Sequence, residues 1–243
     1  MLNPIALVAA SSLSSLPLVD DLVVLPSEGP WTLLALSLEV ADIARYSDIA
    51  QQDATWLSWA LARQHSALAA IGAAVAVYPL QFGLVVPSVD ETLAAASQHH
   101  QELVRYFALI EGACEWSLKA SLSEAVAESD VQSANISGLA WLKAKQSAPQ
   151  RRALRIENAQ LRVRAEITSI VASARASTLV HRQTVLPNKP GTELLNMALL
   201  VETQDGERLT SAADKLRETL AAEGIVVSWS GPWPPYSFRP RLA

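Results

Sequence analysis

The sequence predicts an α+β protein of two domains, a small N-terminal α+β domain over residues 1–110 and a second domain over residues 111–243 built in the order β-α-β-β-α-β. Three observations carry this reading. At 243 residues the chain is long enough for two small domains, each with a core of its own. Half of the residues are apolar and 18% are charged, the balance of a folded chain and not of a disordered one. The apolar positions switch repeatedly between a period of two and a period near 3.6, with proline and glycine at the changes.

In the first domain, residues 4–10 and 31–40 read as strands, separated by a segment broken at Pro17, Pro26 and the Gly29-Pro30 pair. From about residue 47 to 71 the pattern is helical, with Leu57, Leu61, His65, Leu68 and Ile71 on one face. Residues 74–86 read as a strand interrupted by Pro79 and Gly83. Ser88, followed by Glu91, is the N-cap of a helix on which Val89, Leu93, Ala96, His100, Leu103, Phe107 and Ile110 share a side.

The second domain opens with residues 113–120, where Cys114, Trp116 and Leu118 face inward and Glu115, Ser117 and Lys119 face out as a solvated or partner-facing set. Residues 138–176 form a long helix with a break expected at Pro149 and an apolar line of Ile156, Ala159, Val163, Ile167, Ile170 and Ala174. A strand at 178–186 ends in Pro187-Asn188-Lys189-Pro190-Gly191, and Leu195, Met197, Leu199 and Val201 line the next strand. A helix from about 211 to 223 stops at Gly224, and Ile225, Val227 and Trp229 are the inward face of the last strand. This is the ferredoxin-like order. Pro232, Pro234 and Pro235 then remove three backbone donors, so the segment 231–243 is expected to leave the sheet as a stiff proline-rich tail.

Several classes of function are disfavoured by what the chain carries. Its apolar runs fall short of the ~20 residues that cross a bilayer, so no membrane contact is expected. The first basic residue is Arg45, which argues against a secretory signal in the apolar opening and for a cytoplasmic protein. With one cysteine, Cys114, there is no internal disulfide, and its place on an inward strand face makes it a packed thiol. No two of the nine glycines are closer than seven residues, so no phosphate-cradling loop is available. His99 and His100 are adjacent and cannot share a ligand face, while His65 and His181 stand alone. No cofactor, metal site or catalytic set is expected.

The net charge of −5 is unevenly distributed. Residues 1–142 hold 15 acidic and 4 basic side chains, and residues 143–189 hold 2 and 10. The basic run includes Lys143, Lys145, Arg151, Arg152, Arg155, Arg162 and Arg164. Arg151, Arg152, Arg155 and Arg162 are therefore candidates for docking an acidic partner, against the alternative of a solvated face. An RNA-binding reading of the same run needs exposed aromatics on the sheet, which the pattern does not supply, and nucleic acid is not an expected partner.

Three stretches carry a family resemblance. They are Val77-Tyr78-Pro79-Leu80-Gln81-Phe82-Gly83, Gly112-Ala113-Cys114-Glu115-Trp116-Ser117-Leu118-Lys119 and Gly231-Pro232-Trp233-Pro234-Pro235-Tyr236-Ser237-Phe238. In order and spacing they resemble the gas vesicle protein F/L family (GvpF/GvpL), nearer its F type. Gln81 stands where that family usually has arginine. The resemblance implies a small α+β domain followed by a ferredoxin-like domain, and a non-enzymatic assembly or structural protein of the gas vesicle, within the cytoplasm. It implies as partners the main shell protein (GvpA-like) and other minor vesicle proteins, with no cofactor. A ferredoxin-like regulatory domain binding a small molecule is the alternative. Trp233, Tyr236 and Phe238 are the tail's candidate contacts: they either fold back to seal the protein's own domain or project as an adhesive strip.

Overall fold

The computed structural model describes residues 2–49, 52–83, 88–123, 138–173 and 193–242. The chain divides into two compact units, Met1–Ala113 together with Trp233–Ala243, and Cys114–Pro232. The tail, expected to belong with residues 111–243, is thus grouped with the first unit from Trp233 onward.

The first unit holds a four-stranded sheet in the order β2-β3-β1-β4, formed by β1 (Leu2–Ala9), β2 (Leu22–Leu25), β3 (Trp31–Ser37) and β4 (Tyr78–Pro79). β1 and β3 pair antiparallel from Leu2 opposite Ser37 to Ala9 opposite Trp31, and the register slips between Pro4 and Ala6. Pro4 has no N–H to give to the ladder, and such irregularities sit where a donor is missing. Ile5, Ala6, Leu7 and Val8 of β1 are all buried, as are Leu33, Leu34, Ala35 and Leu36 of β3. These strands are covered on both faces, which is why they read as continuous apolar runs and not as alternation.

Around this sheet lie α1 (Val40–Ser47), α2 (Ala54–Ala74), α3 (Val89–Gln98) and α4 (His100–Ile110). Asp53 caps α2, its carboxylate accepting from Thr55 and Trp56 N–H at 2.9 Å each. Those bonds, that from Trp56 foremost, hold its carboxyl below the usual range. Ser88 caps α3 as expected, its hydroxyl accepting from Glu91 N–H at 3.0 Å. The single helix expected after Ser88 is divided at His99, whose ψ of 23° departs from the helical value.

The inward face of α2 differs from expectation by about one residue. Trp56, Ala60, Gln64, Ala67, Leu68 and Ile71 are buried, while Leu61 is exposed and Leu57 and His65 are half-buried. The small Ala60 and Ala67 let the helix approach the sheet, and Gln64 is admitted because its amide is occupied on both sides. Its Oε1 accepts from Asn3 at 3.4 Å and its Nε2 donates to the Leu80 carbonyl at 3.5 Å. His100 also differs: it is exposed, with its ring against Trp31.

The second unit has a three-stranded sheet in the order β6-β5-β7, from β5 (Ala113–Leu122), β6 (Glu193–Glu202) and β7 (Ile225–Trp233). With them are α5 (Gly138–Ser173) and α6 (Gly206–Ala221). The expected strand at 178–186 lies outside the described residues. One core joins Trp116, Leu118 and Leu122 of β5, Ala159, Val163, Ile167 and Ile170 of α5, Leu209, Leu216 and Leu220 of α6, and Ile225 and Val227 of β7. α5 runs through Pro149 without the expected break. One missing donor is tolerated there because the flanking Lys, Ala, Gln and Arg residues are strong helix formers. Gly224, at φ 70°, takes the left-handed position after α6 that glycine fills without strain.

Glu115 corrects a second expectation, for it is buried and not solvent-facing, whereas Lys119 is exposed. The neighbouring Trp116 is 8% exposed and lies between two glycines. A Cβ on Gly206 would sit 3.7 Å from the indole, an ordinary contact. A Cβ on Gly231 would sit 2.8 and 2.9 Å from indole carbons and 3.0 Å from the Glu115 carbonyl oxygen, on a backbone with φ 152°. The expectation for Gly231→Ala is therefore a loss of roughly 1–3 kcal/mol, read as a lowered denaturation midpoint, while Gly206→Ala leaves the midpoint nearly unchanged. Equal midpoints for the two variants would refute the packing account of Gly231.

Candidate functional site

The candidate contacts fall into two places, one in each unit. In the first unit the tail closes a cleft of about 530 Å³ lined by Leu61, Gln64 and His65 of α2, Leu80 to Phe82 after β4, and Trp233, Tyr236 and Arg239. Polar contacts seat the tail. His65 Nδ1 and the Tyr236 hydroxyl share a hydrogen bond of 3.0 Å. The Tyr78 hydroxyl donates to the Pro240 carbonyl at 2.8 Å, and Arg239 donates to the Pro79 carbonyl at 2.9 Å. The Tyr106 hydroxyl donates to the Val77 carbonyl at 3.0 Å and lies 3.5 Å from that of Pro235.

Apolar burial accompanies these bonds. Phe238 is 8% exposed, Pro234 and Pro235 are buried, and Trp233 and Tyr236 are half-buried. The Trp233 and His65 rings lie 4.8 Å apart. The tail aromatics are thus folded back, on the first unit, with one edge of Trp233 and Tyr236 left to the cleft. Tyr78, Tyr106 and Arg239, which hold this arrangement, were not among the candidates. A tyrosine whose ring packs and whose hydroxyl bonds a distant carbonyl leaves no local pattern in sequence.

In the second unit Arg151, Arg155 and Arg162 line one cleft of about 590 Å³ with Leu154, Asn158, Ala159, Leu122, Glu223 and Ile225. The side chain of Arg152 lies outside the described residues. The cleft has an apolar floor of Leu122, Ala159 and Ile225, all buried, beneath a cationic rim. Arg162 Nε donates to Glu223 at 3.2 Å and its Nη1 to Glu166, and these carboxylates, Glu166 foremost, hold the guanidinium pKa above its usual value. Arg162 is therefore largely committed within its own chain. The face is suited to carboxylates presented on an apolar segment.

Cys114 is half-buried, and its thiol donates to the Val201 carbonyl at 3.7 Å. Burial raises its pKa. Among the described residues no group of three His, Cys, Asp or Glu side chains could hold a metal ion, and no helix is long and apolar enough to cross a membrane.

Comparison with known proteins gives a consistent set. A sequence model of the family described as gas vesicle synthesis protein GvpL/GvpF matches residues 32–240. Gas vesicle protein L of Streptomyces sp. (strain CB03234) is 25% identical over 194 residues, 77% of this chain and 71% of the relative. Gas vesicle protein F of the same strain is 27% identical over 187 residues, 73% of this chain and 76% of the relative. Among solved structures, GvpF from Anabaena sp. PCC7120 superposes with a TM-score of 0.63 at 14% identity, over 98% of this chain and 94% of that one. GvpF from Microcystis aeruginosa gives a TM-score of 0.63 at 12% identity, over 98% of both chains. At such identities these two report the fold alone.

Two measurements follow from the geometry. Trp233→Ala with Tyr236→Ala is expected to lower the melting temperature by about 5 °C or more, because burial and the His65 bond are both lost; an unchanged melting curve would show that the tail stabilises nothing. The Cys114 thiol is expected to alkylate more slowly at neutral pH than a free cysteine, since the reactive thiolate is disfavoured. Its replacement by alanine is expected to cost around 1 kcal/mol. Rapid labelling of the native protein would contradict the buried-thiol reading.

Proposed function

Because the chain belongs to the GvpL/GvpF family of gas vesicle synthesis proteins, matched from residue 32 to 240, we propose that it serves gas vesicle assembly by holding the main shell protein. It binds the apolar shell subunit, limits its aggregation and supports nucleation of the vesicle. The work is adhesive and not catalytic. Other minor vesicle proteins are further partners, and the site of action is the vesicle within the cytoplasm. The ferredoxin-like arrangement of the second domain is part of the same reading, supported by β5 lying between β6 and β7.

One observation carries the mode of binding: the cleft that joins Arg151 and Arg155 to a floor of Leu122, Ala159 and Ile225. A shell subunit that presents apolar side chains and carboxylates together is complementary to it. The edges of Trp233 and Tyr236 in the tail cleft are a second place of contact.

The decisive experiment is deletion of the gene in a vesicle-forming host, with co-sedimentation of the protein on intact, salt-washed vesicles. Loss of vesicles and recovery of the protein with them are expected; normal vesicles in the deletion strain would defeat the proposal. Arg151→Glu with Arg155→Glu is expected to weaken capture of the shell protein at low salt and to flatten its salt dependence. Capture indifferent to salt and to both substitutions would return this face to solvent.

A further inference from the structure

α5 carries a second line of side chains on the side away from its own core. The core-facing line is Ala159, Val163, Ile167 and Ile170, all buried, with Ile156 packed against them. On the other side Leu154 and Leu161, seven residues apart, are 58% and 59% exposed. Asn158 and Ala165, also exposed, fall between and beyond them. This is the spacing of a heptad seam, with Leu154, Leu161 and Thr168 at d and Asn158 and Ala165 at a. In that frame Ala159 is b, Val163 is f and Ile167 is c. The seam therefore lies across the helix from Val163, with Leu154 and Asn158 also at the rim of the cationic cleft.

The flanking charges select an occupant. Glu157 is g and Arg162 is e, five residues on, the pair that meets across two parallel helices of identical sequence. Arg162 spends Nε on Glu223 and Nη1 on Glu166, and among the described residues its Nη2 is the edge left for a carboxylate from outside. An antiparallel pairing would set e against e, bringing Arg155 and Arg162 of one helix onto those of the other, which like-charge repulsion disfavours. Arg151 at the preceding a position ends the seam on its N-terminal side by the same repulsion. A buried Asn pair at a single a position costs stability but specifies two strands in register.

We infer that α5 is a self-association surface, on which a second copy of this chain docks its own α5 in parallel, Leu154 on Leu154, Asn158 on Asn158 and Leu161 on Leu161, with Glu157 of each copy on Arg162 of the other. The contact is isologous, so it closes as a dimer and does not propagate. With two leucines per helix it is a weak, concentration-dependent dimer. It stands independently of the vesicle role, and its Leu154, Asn158 and Arg162 are shared with the rim of the cationic cleft.

The test is sedimentation of the full chain over a roughly hundredfold range of concentration. The expected mass rises from the 26.1 kDa of one chain toward twice that, and falls back on addition of salt. Leu154→Asp with Leu161→Asp is expected to stay monomeric at every concentration with an unchanged melting temperature, since both side chains are on the surface. In a Cys114→Ala background, Asn158→Cys and Ala165→Cys are each expected to self-link by disulfide on oxidation, as only a parallel register permits for both. A monomer throughout, with neither cysteine linking, overturns the inference. So does a dimer that persists in the double aspartate variant, which would place the contact elsewhere.

Discussion

The last strand can lie against Trp116 because residue 231 carries no side chain. The indole is enclosed by Gly206 at the start of α6 and Gly231 near the end of β7, with the Glu115 carbonyl close on the same side. β7 runs on to Trp233, and from there the chain is part of the first unit and not the second. Trp116 and Gly231 stand 115 positions apart in the sequence. Packing makes one feature of them, and the two motifs that contain them are joined through it.

Much of this was legible in sequence, and the exceptions have physical causes. The alternation in β5 from Trp116 onward, the Ser88 cap and the apolar line of α5 from Ile156 to Ile170 were each written in local spacing, and each is found, while Ala174 at the end of that line lies outside the described residues. β2 was not, because four residues ending directly before Pro26 leave too short a window for a period to show. The face of α2 was displaced because Ala60 and Gln64 outrank Leu61 and His65 in burial. Hydropathy cannot see that a small residue allows close approach, or that an amide will be satisfied by Asn3 and the Leu80 carbonyl. Glu115 was misplaced for a related reason, since strand alternation assigns faces but does not say whether the second face is covered.

The candidate contacts divide in the same way. That the tail aromatics fold back was one of two readings the residues allowed, and the choice of the first unit as their seat depends on Tyr78, Tyr106 and His65, more than 120 positions upstream. The basic helix was legible as a charge excess. The cleft that sets those cations over Leu122, Ala159 and Ile225 required the direction of the core, which charge alone does not supply.

The first unit is completed by residues that are made after the whole of the second. During synthesis its sheet and helices emerge well before Trp233, Tyr236 and Phe238 exist, while every element of the second unit begins ahead of them. Domains ordinarily fold as they leave the ribosome, N-terminal first. The contacts of Phe238 and Tyr236 with the first unit therefore form only after the second unit's chain has been delivered in full.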